Sequence, residues 1–272
     1  MKNRCCICDS ESSRLYDLVG DFKLLQCDCG LVYLDRNVSK QEDFIEAAEK
    51  DLRSTDKQKV EYWSFPQQFD KHRKVFERFF DERIKRIKKH NPNVEDMLDV
   101  GCGYGFWMDY CKNLGIRSQG IDISPEVVDY AKTKLNLDVT HSDLVGFEPK
   151  KKYDLIMMFD VVEHLENPNE VLTKYHGFLK DDGLLYVQVP DLIGFRIPSN
   201  HGYGLPHHLW QFNFKTMKKL LEKNNYSVEG RWSGPIGVIG DYEKGKHLFF
   251  KEIMWSLTSK LHIAPRLQVI AK

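Results

Sequence analysis

Residues Leu98 to Trp107 read "LDVGCGYGFW": an apolar run carrying an acidic residue, then glycines at 101, 103 and 105. A glycine-rich turn between a strand and its helix lets a ligand approach the backbone, with the N–H groups of the helix start beside it. The sequence around the turn supports that setting. "NPN" at Asn91–Asn93 breaks a preceding helical pattern. From Val94 onward strand-like and helix-like runs alternate: "VEDMLDV", "FWMDYCKNL", "RSQGIDI", "SPEVVDYAKTKL", "LDVTHSD", "YDLIMMFD", "NPNEVLTKYHGFL" and "GLLYVQVP". Such alternation predicts an α/β fold with a parallel sheet and crossover helices. Gly115 stands where the first helix should end, and Ser124 followed by Pro125 where the second should begin. A helix "NFKTMKKLLEKNN" and two later β-type runs, "YSVEGRW" and "RLQVIAK", are placed to complete the sheet.

The glycine spacing narrows the ligand. A dinucleotide fingerprint is G-x-G-x-x-G/A, its last small residue allowing close helix–strand packing. Here that position is Phe106, which disfavours a pyrophosphate-binding dinucleotide site, and no Lys-Ser/Thr follows to make a P-loop. Asp122, in "GIDIS", falls about 20 residues beyond the glycines, where a carboxylate can accept both hydroxyls of a ribose. Asp143 is expected to end the third strand. The ligand therefore contains a ribose, lies across the carboxyl ends of the strands and lacks a pyrophosphate.

"MLDVGCGYG", "GIDIS", "HSDL", "YDLIMMFDVVEHLENP" and "GLLYVQVP" resemble the successive motifs of class I S-adenosylmethionine-dependent methyltransferases, over about residues 94–190. "DVVEHLENP" is most similar to the subgroup of ubiquinone-biosynthesis O-methyltransferases and many sugar and natural-product methyltransferases. The resemblance implies a Rossmann-like seven-stranded, mostly parallel sheet with helices on both faces. It also implies S-adenosyl-L-methionine as the cofactor. Asp99 and Gly101 would lie against its methionine end, with Gly103 and Gly105 completing the loop. Asp122, with Ile123, would bind the ribose hydroxyls, and Asp143, with Leu144, the adenine amino group. Phe159 and Asp160 would line the cofactor through their backbone. Tyr62, Trp63 and Phe65, before the sheet, are candidates for a further contact or for simple core.

The first 36 residues hold five of the seven cysteines. Cys5-x-x-Cys8 and Cys27-x-Cys29 are separated by about eighteen residues, a spacing compatible with a tetrahedral four-thiolate Zn2+ site on two knuckles. The C-x-C pair departs from the usual C-x-x-C, leaving Cys6 or Asp28 as alternative ligands. A segment this small has little core of its own, so metal would supply its folding energy, and four thiolates leave no open position for catalysis. It resembles the zinc-binding segment that precedes some sugar and natural-product methyltransferases. Cys102 and Cys111 read as small buried apolar residues instead.

Methyl transfer is an in-line displacement on a sulfonium carbon, which needs an aligned nucleophile and often a base. His164, directly after the fourth strand, has the right intrinsic pKa for a base, near ~6.5. Glu163 is placed to orient His164, bind the acceptor or hold a divalent metal. Alternatively, both organise the loop and helix start. His207 and His208, in "GLPHHLWQF", fall where related enzymes carry an acceptor-side loop; a metal site built from Glu163, His164 and one of them is a further possibility. Arg196 and Lys215 are possible sources of positive charge toward an acidic acceptor.

Lys plus Arg and Asp plus Glu number 40 each. That balance argues against nucleic acid as partner, because phosphate neutralisation draws on a basic excess. The run "KHRKVFERFFDERIKRIKKH" is read as a solvated amphipathic helix with apolar positions Val75, Phe76, Phe79, Phe80, Ile84 and Ile87. With no apolar run of ~20 residues there is no expected membrane span, and the cytoplasm is the expected compartment. Four stretches are expected: a zinc-ribbon-like segment at 1–36, a helical cap at 37–92, a cofactor-binding core at 93–200, and an acceptor-side loop with the end of the sheet at 201–272. The leading reading is O-methylation of a small-molecule acceptor, a sugar, nucleotide-sugar or other glycan precursor. RNA or protein methylation guided by the zinc segment, and cofactor binding without catalysis, are the alternatives. The oligomeric state is not legible.

Overall fold

The computed structural model describes residues 4–35, 65–193, 203–234, 257, 259–262 and 264–272. Seven strands form the main sheet: β4 (Asp96–Val100), β5 (Arg117–Asp122), β6 (Asp138–His141), β7 (Tyr153–Phe159), β8 (Leu179–Pro190), β10 (Val228–Gly234) and β11 (Arg266–Ala271). Their order is β10-β11-β8-β7-β4-β5-β6. Six of them run in one direction, and β11 alone is reversed, antiparallel to β8 and β10 on either side of it, with Arg266 paired to Pro190 and Ala271 to Leu185. The chain steps from β4 to β5 and β6 on one side, then returns to β7 and β8 on the other. That reversal leaves a crevice outside the carboxyl ends of β4 and β7, where open α/β sheets take their ligands.

The central strands are buried on both faces, so they read as near-continuous apolar runs. Alternation along them still divides two cores. Met97, Leu155, Met157 and Tyr186 face α1 (Phe65–His90), α2 (Phe106–Asn113) and α3 (Pro125–Leu135). Leu98, Val100, Ile156, Met158 and Val187 face α4 (Pro168–His176) and α5 (Phe214–Lys223). On α1, Phe76, Phe80, Ile84 and Ile87 are buried while Val75 and Phe79 are half-buried. The stripe expected from the sequence therefore faces the sheet. Gly115 ends α2 at φ +80°, as a left-handed C-terminal stop. Ser124 sits at the cap of α3, but its side chain makes no capping bond; its backbone N–H donates to Asp122 instead.

A second sheet, of order β1-β2-β3-β9, stands beside the first. Strands β1 (Ser13–Val19), β2 (Phe22–Cys27) and β3 (Val32–Leu34) come from the N-terminus, and β9 (Trp210–Gln211) from the acceptor-side stretch. Cys5, Ile7, Leu24 and Leu31–Leu34 share one core with Trp210, Phe212, Met217, Leu220 and the sheet residues Leu98 and Ile156. The N-terminal segment, expected to have little core of its own, thus buries its apolar residues in the core of the main sheet. No described helix is long and apolar enough to cross a membrane.

Candidate active site

The glycine turn leaves β4 and is pinned to β5. The N–H groups of Gly101 and Cys102 both donate to the Ile121 carbonyl, at 2.8 and 3.1 Å. Gly101 has φ +70°, and a Cβ there would meet Val161 Cγ2 at 2.7 Å. Gly103, at φ +53°, has nothing within 4 Å of where a Cβ would stand, so the backbone there is open to a ligand. The Gly103 N–H donates to Asp122 Oδ2 at 2.8 Å and Ser124 N–H to Oδ1 at 2.9 Å. A carboxylate has about four acceptor sites, so Asp122 keeps capacity for a vicinal diol. Burial pushes its pKa up, against the pull of those N–H donors. His141 donates from Nε2 to the Ile123 carbonyl at 2.9 Å. Asp143, expected at a strand end, lies two residues beyond β6, in the turn that follows. There its Oδ1 accepts from Gly146 N–H at 2.5 Å, while the Leu144 carbonyl accepts from Tyr175 at 3.2 Å.

Asp99 is buried at the end of β4, and that burial pushes its pKa up to about 7, with the positive charge of Arg83 opposing the shift. Arg83 was not singled out in the sequence. It sits in α1 with its guanidinium 4.4 Å from the centre of the Phe159 ring. Its hydrogen bond to Gln188 Oε1 is long, at 3.4 Å. Burial lowers the pKa of this guanidinium, and the nearby Tyr186, Asp160 and Asp99 oppose that shift. The signal available in sequence was a cation one residue from Ile84, inside the apolar stripe. Asp160, at φ +56°, ion-pairs with Arg266 at 3.0 Å and accepts from Gln188 Nε2 at 3.0 Å. Tyr62 and Trp63 lie outside the described residues, as does Arg196; Phe65 opens α1, and Lys215 is exposed on α5.

"DVVEHLENP" carries the chain from β7 through a 3-10 turn, Val162–His164, into α4. Glu163 is 1% exposed, and neither carboxyl oxygen has a hydrogen-bond partner. Burial, reinforced by the nearby Asp160 charge, raises its pKa well above the usual carboxylate range. The shift is toward the neutral acid. His164 Nδ1 donates to the His207 carbonyl at 3.0 Å. Because a carbonyl only accepts, this bond assigns the tautomer: Nδ1 carries the proton and Nε2 the lone pair. Burial also lowers the pKa of His164, which keeps the ring neutral. His208 stands edge-on to it, ring centres 4.7 Å apart at 83°. Ligand atoms of Glu163, His164 and His208 all lie within 4.8 Å of one another. The two adjacent histidines therefore differ: His208 brings its ring to the group, and His207 its backbone carbonyl.

The cysteines gather at the far end of the N-terminal sheet. Cys5 and Cys29 Sγ atoms are 3.5 Å apart, Cys8 and Cys27 3.3 Å, and all four lie within 4.8 Å of one another. Tetrahedral Zn–S bonds of about 2.3 Å put the sulfurs roughly 3.8 Å apart, so the four thiols fit a closed zinc site. Neither Cys6 nor Asp28 is in the group; the Cys6 carbonyl accepts from Asn169 and Lys223 instead. Cys102 and Cys111 stand apart from it, and burial pushes both thiols up in pKa.

A family model described as a methyltransferase domain matches residues 69–230. A probable S-adenosylmethionine-dependent methyltransferase of Mycolicibacterium smegmatis is 25% identical over 170 residues, 62% of this chain and 60% of that one. A ubiquinone biosynthesis O-methyltransferase of Pelagibacter ubique is 29% identical over 112 residues, 39% of this chain and 46% of that one. The chain thus spans 46–60% of the length of these relatives. The crystal structure of an N-methyltransferase from Bradyrhizobium japonicum WM9, in complex with S-adenosyl-L-homocysteine, superposes with a TM-score of 0.55 at 15% identity. The superposition covers 85% of this chain and 98% of that one, and the shared feature is the fold.

Proposed function

The chain belongs to the class I S-adenosylmethionine-dependent methyltransferases, and from that premise we propose that it methylates an oxygen of a small polyhydroxylated acceptor, of the sugar or nucleotide-sugar kind, with His164 as the base. One observation carries the choice of base. His164, fixed by the bond from its Nδ1 to the His207 carbonyl at 3.0 Å, stands in one group with Glu163 and His208, their ligand atoms within 4.8 Å of one another just after β7.

On this reading, Asp122 takes the ribose hydroxyls of S-adenosyl-L-methionine, Asp143 its adenine amino group, and the backbone of Phe159 and Asp160 one wall. Asp99 faces the ammonium of the methionine end, and Arg83 its carboxylate. The cofactor supplies an activated methyl on a sulfonium. With an acceptor hydroxyl held against that methyl, His164 would accept the hydroxyl proton through Nε2 while the sulfonium would leave as a neutral thioether. The neutral Glu163 donates a hydrogen bond to a second acceptor oxygen. Cys5, Cys8, Cys27 and Cys29 hold a structural zinc. A second reading has one supporting observation: the clustered ligand atoms of Glu163, His164 and His208 also suit a divalent cation.

The test is methyl transfer to a panel of hydroxylated metabolites, with S-adenosylhomocysteine binding measured alongside. A His164→Ala chain that binds the product normally but transfers no methyl supports the base. Unchanged turnover in that variant removes it, and activity lost to a chelator and restored by Mg2+ or Mn2+ favours the cation.

A further inference from the structure

We infer that the four-cysteine knuckle is the mount of the acceptor loop: a metal closed into it sets where His208 stands against His164, and leaves the cofactor side untouched. The inference rests on the zinc reading above and extends it from folding to the site. The path is short. β2 ends on Cys27, and the turn that follows holds Cys29, with Gly30 N–H donating to the Cys27 carbonyl at 2.8 Å and Cys27 N–H to the Leu31 carbonyl at 2.9 Å. β3 leaves that turn and pairs at once with the histidine loop: Val32 with Gln211, Tyr33 with Trp210, and Leu34 N–H with the Leu209 carbonyl at 2.9 Å. His208 is the next residue back.

The other side of the same loop grips the catalytic turn. Leu209 N–H donates to the Glu163 carbonyl at 2.8 Å, Trp210 Nε1 to the Leu165 carbonyl at 2.6 Å, and the His207 carbonyl receives His164. β9 has two residues and β3 as its neighbour among the described strands. A strand that short has no stability of its own, so its position depends on β3 on one edge as well as on the catalytic turn on the other. More bonds tie the same parts. Tyr203 donates to Asp17 of β1 at 2.8 Å, and Lys219 of α5 donates to the Cys29 carbonyl at 2.9 Å. The glycine turn is held otherwise: the Gly101 and Cys102 N–H groups bond to the Ile121 carbonyl and the Gly103 N–H to Asp122, both on β5.

The experiment uses the full chain in three states: as purified, after 1,10-phenanthroline, and after zinc is returned. Zinc content, hydrogen exchange of the amides at 208–211, and S-adenosylhomocysteine affinity are read in each. The expected result is about one zinc per chain. Its removal should speed exchange at 208–211 by about tenfold or more, reversed when zinc returns, while product affinity changes less than about twofold. Cys8→Ser, at the most exposed of the four thiols, should reproduce the zinc-free pattern without chelator. Zinc loss with unchanged exchange at 208–211 overturns the inference, and so does an equal loss of product affinity. A chain that takes up no zinc at all overturns the zinc reading itself, which is a different failure.

Discussion

The proposed cofactor half and the proposed acceptor half of the site are built in opposite ways. The cofactor half is local: the turn at 101–105 follows β4, Asp122 ends β5 and Asp143 lies in the turn after β6, each beside the backbone groups it bonds. The acceptor half is assembled at a distance. Glu163 and His164 meet His208 across more than forty residues, on a loop whose other edge belongs to the N-terminal sheet. A site made of local turns is specified by short motifs and is tolerant of changes elsewhere. One made of a distant loop is specified by the packing of the whole molecule, and it is free to vary in what it accepts.

The sharpest way to break that contrast is at the base. His164→Ala should lower methyl transfer by about 10²–10⁴-fold while product affinity, by calorimetry, stays within about twofold. Glu163→Gln keeps a neutral donor of nearly the same shape and should retain most of the rate, whereas Glu163→Ala should not; a rate lost equally in both would show that the carboxylate, not the acid, is needed. On the cofactor side, Asp122→Ala removes a charged acceptor of two hydroxyls. It should weaken S-adenosylhomocysteine binding by about 100-fold, on the order of 3 kcal/mol, without altering exchange at 208–211.

A smaller effect is expected at the turn itself. Gly101→Ala adds a Cβ against Val161 in a left-handed backbone, and should cost about 1–3 kcal/mol in urea unfolding. A slope with pH is a further expectation. Asp99 is held protonated up to about 7 in the cofactor-free fold, while the unfolded chain releases that proton near ~3.9. The folded state therefore binds more protons between those values, and stability should fall as pH rises through that window, by at most about 1.4 kcal/mol per unit. Asp99→Asn should flatten the slope measured by thermal unfolding. The same deprotonation should strengthen binding of the cofactor's ammonium as pH rises toward neutrality.

The division between the halves also explains what the sequence disclosed. Gly101, Asp122 and the order of strands β4 to β8 were legible because strand–turn–helix grammar is written within about thirty residues. The strand β1 was not recognised: "SRLYDLV" faces solvent along most of its length and lacks a clean alternation. β9 is two residues long and has no periodicity to read. Arg83 was hidden in a charged run that otherwise faces water; only the approach of α1 to β7 places it on Phe159. The choice between His207 and His208 turns on a backbone bond from Leu209 to Glu163, to which no residue type commits in advance. Likewise the choice of Cys5 over Cys6 depends on which way successive side chains point at one knuckle.

The interleaving of β3 with β9 has a consequence for recombination. Residues 1–36 look in the sequence like a removable module, yet a third of the small sheet's neighbouring strand pairs is made with a strand from beyond residue 200. The heritable unit that a chimera must carry is consequently discontinuous. It includes the cysteine segment, the stretch from Tyr203 to Phe212 and the α5 face that meets the knuckle, and a crossover between them would join halves that do not fit.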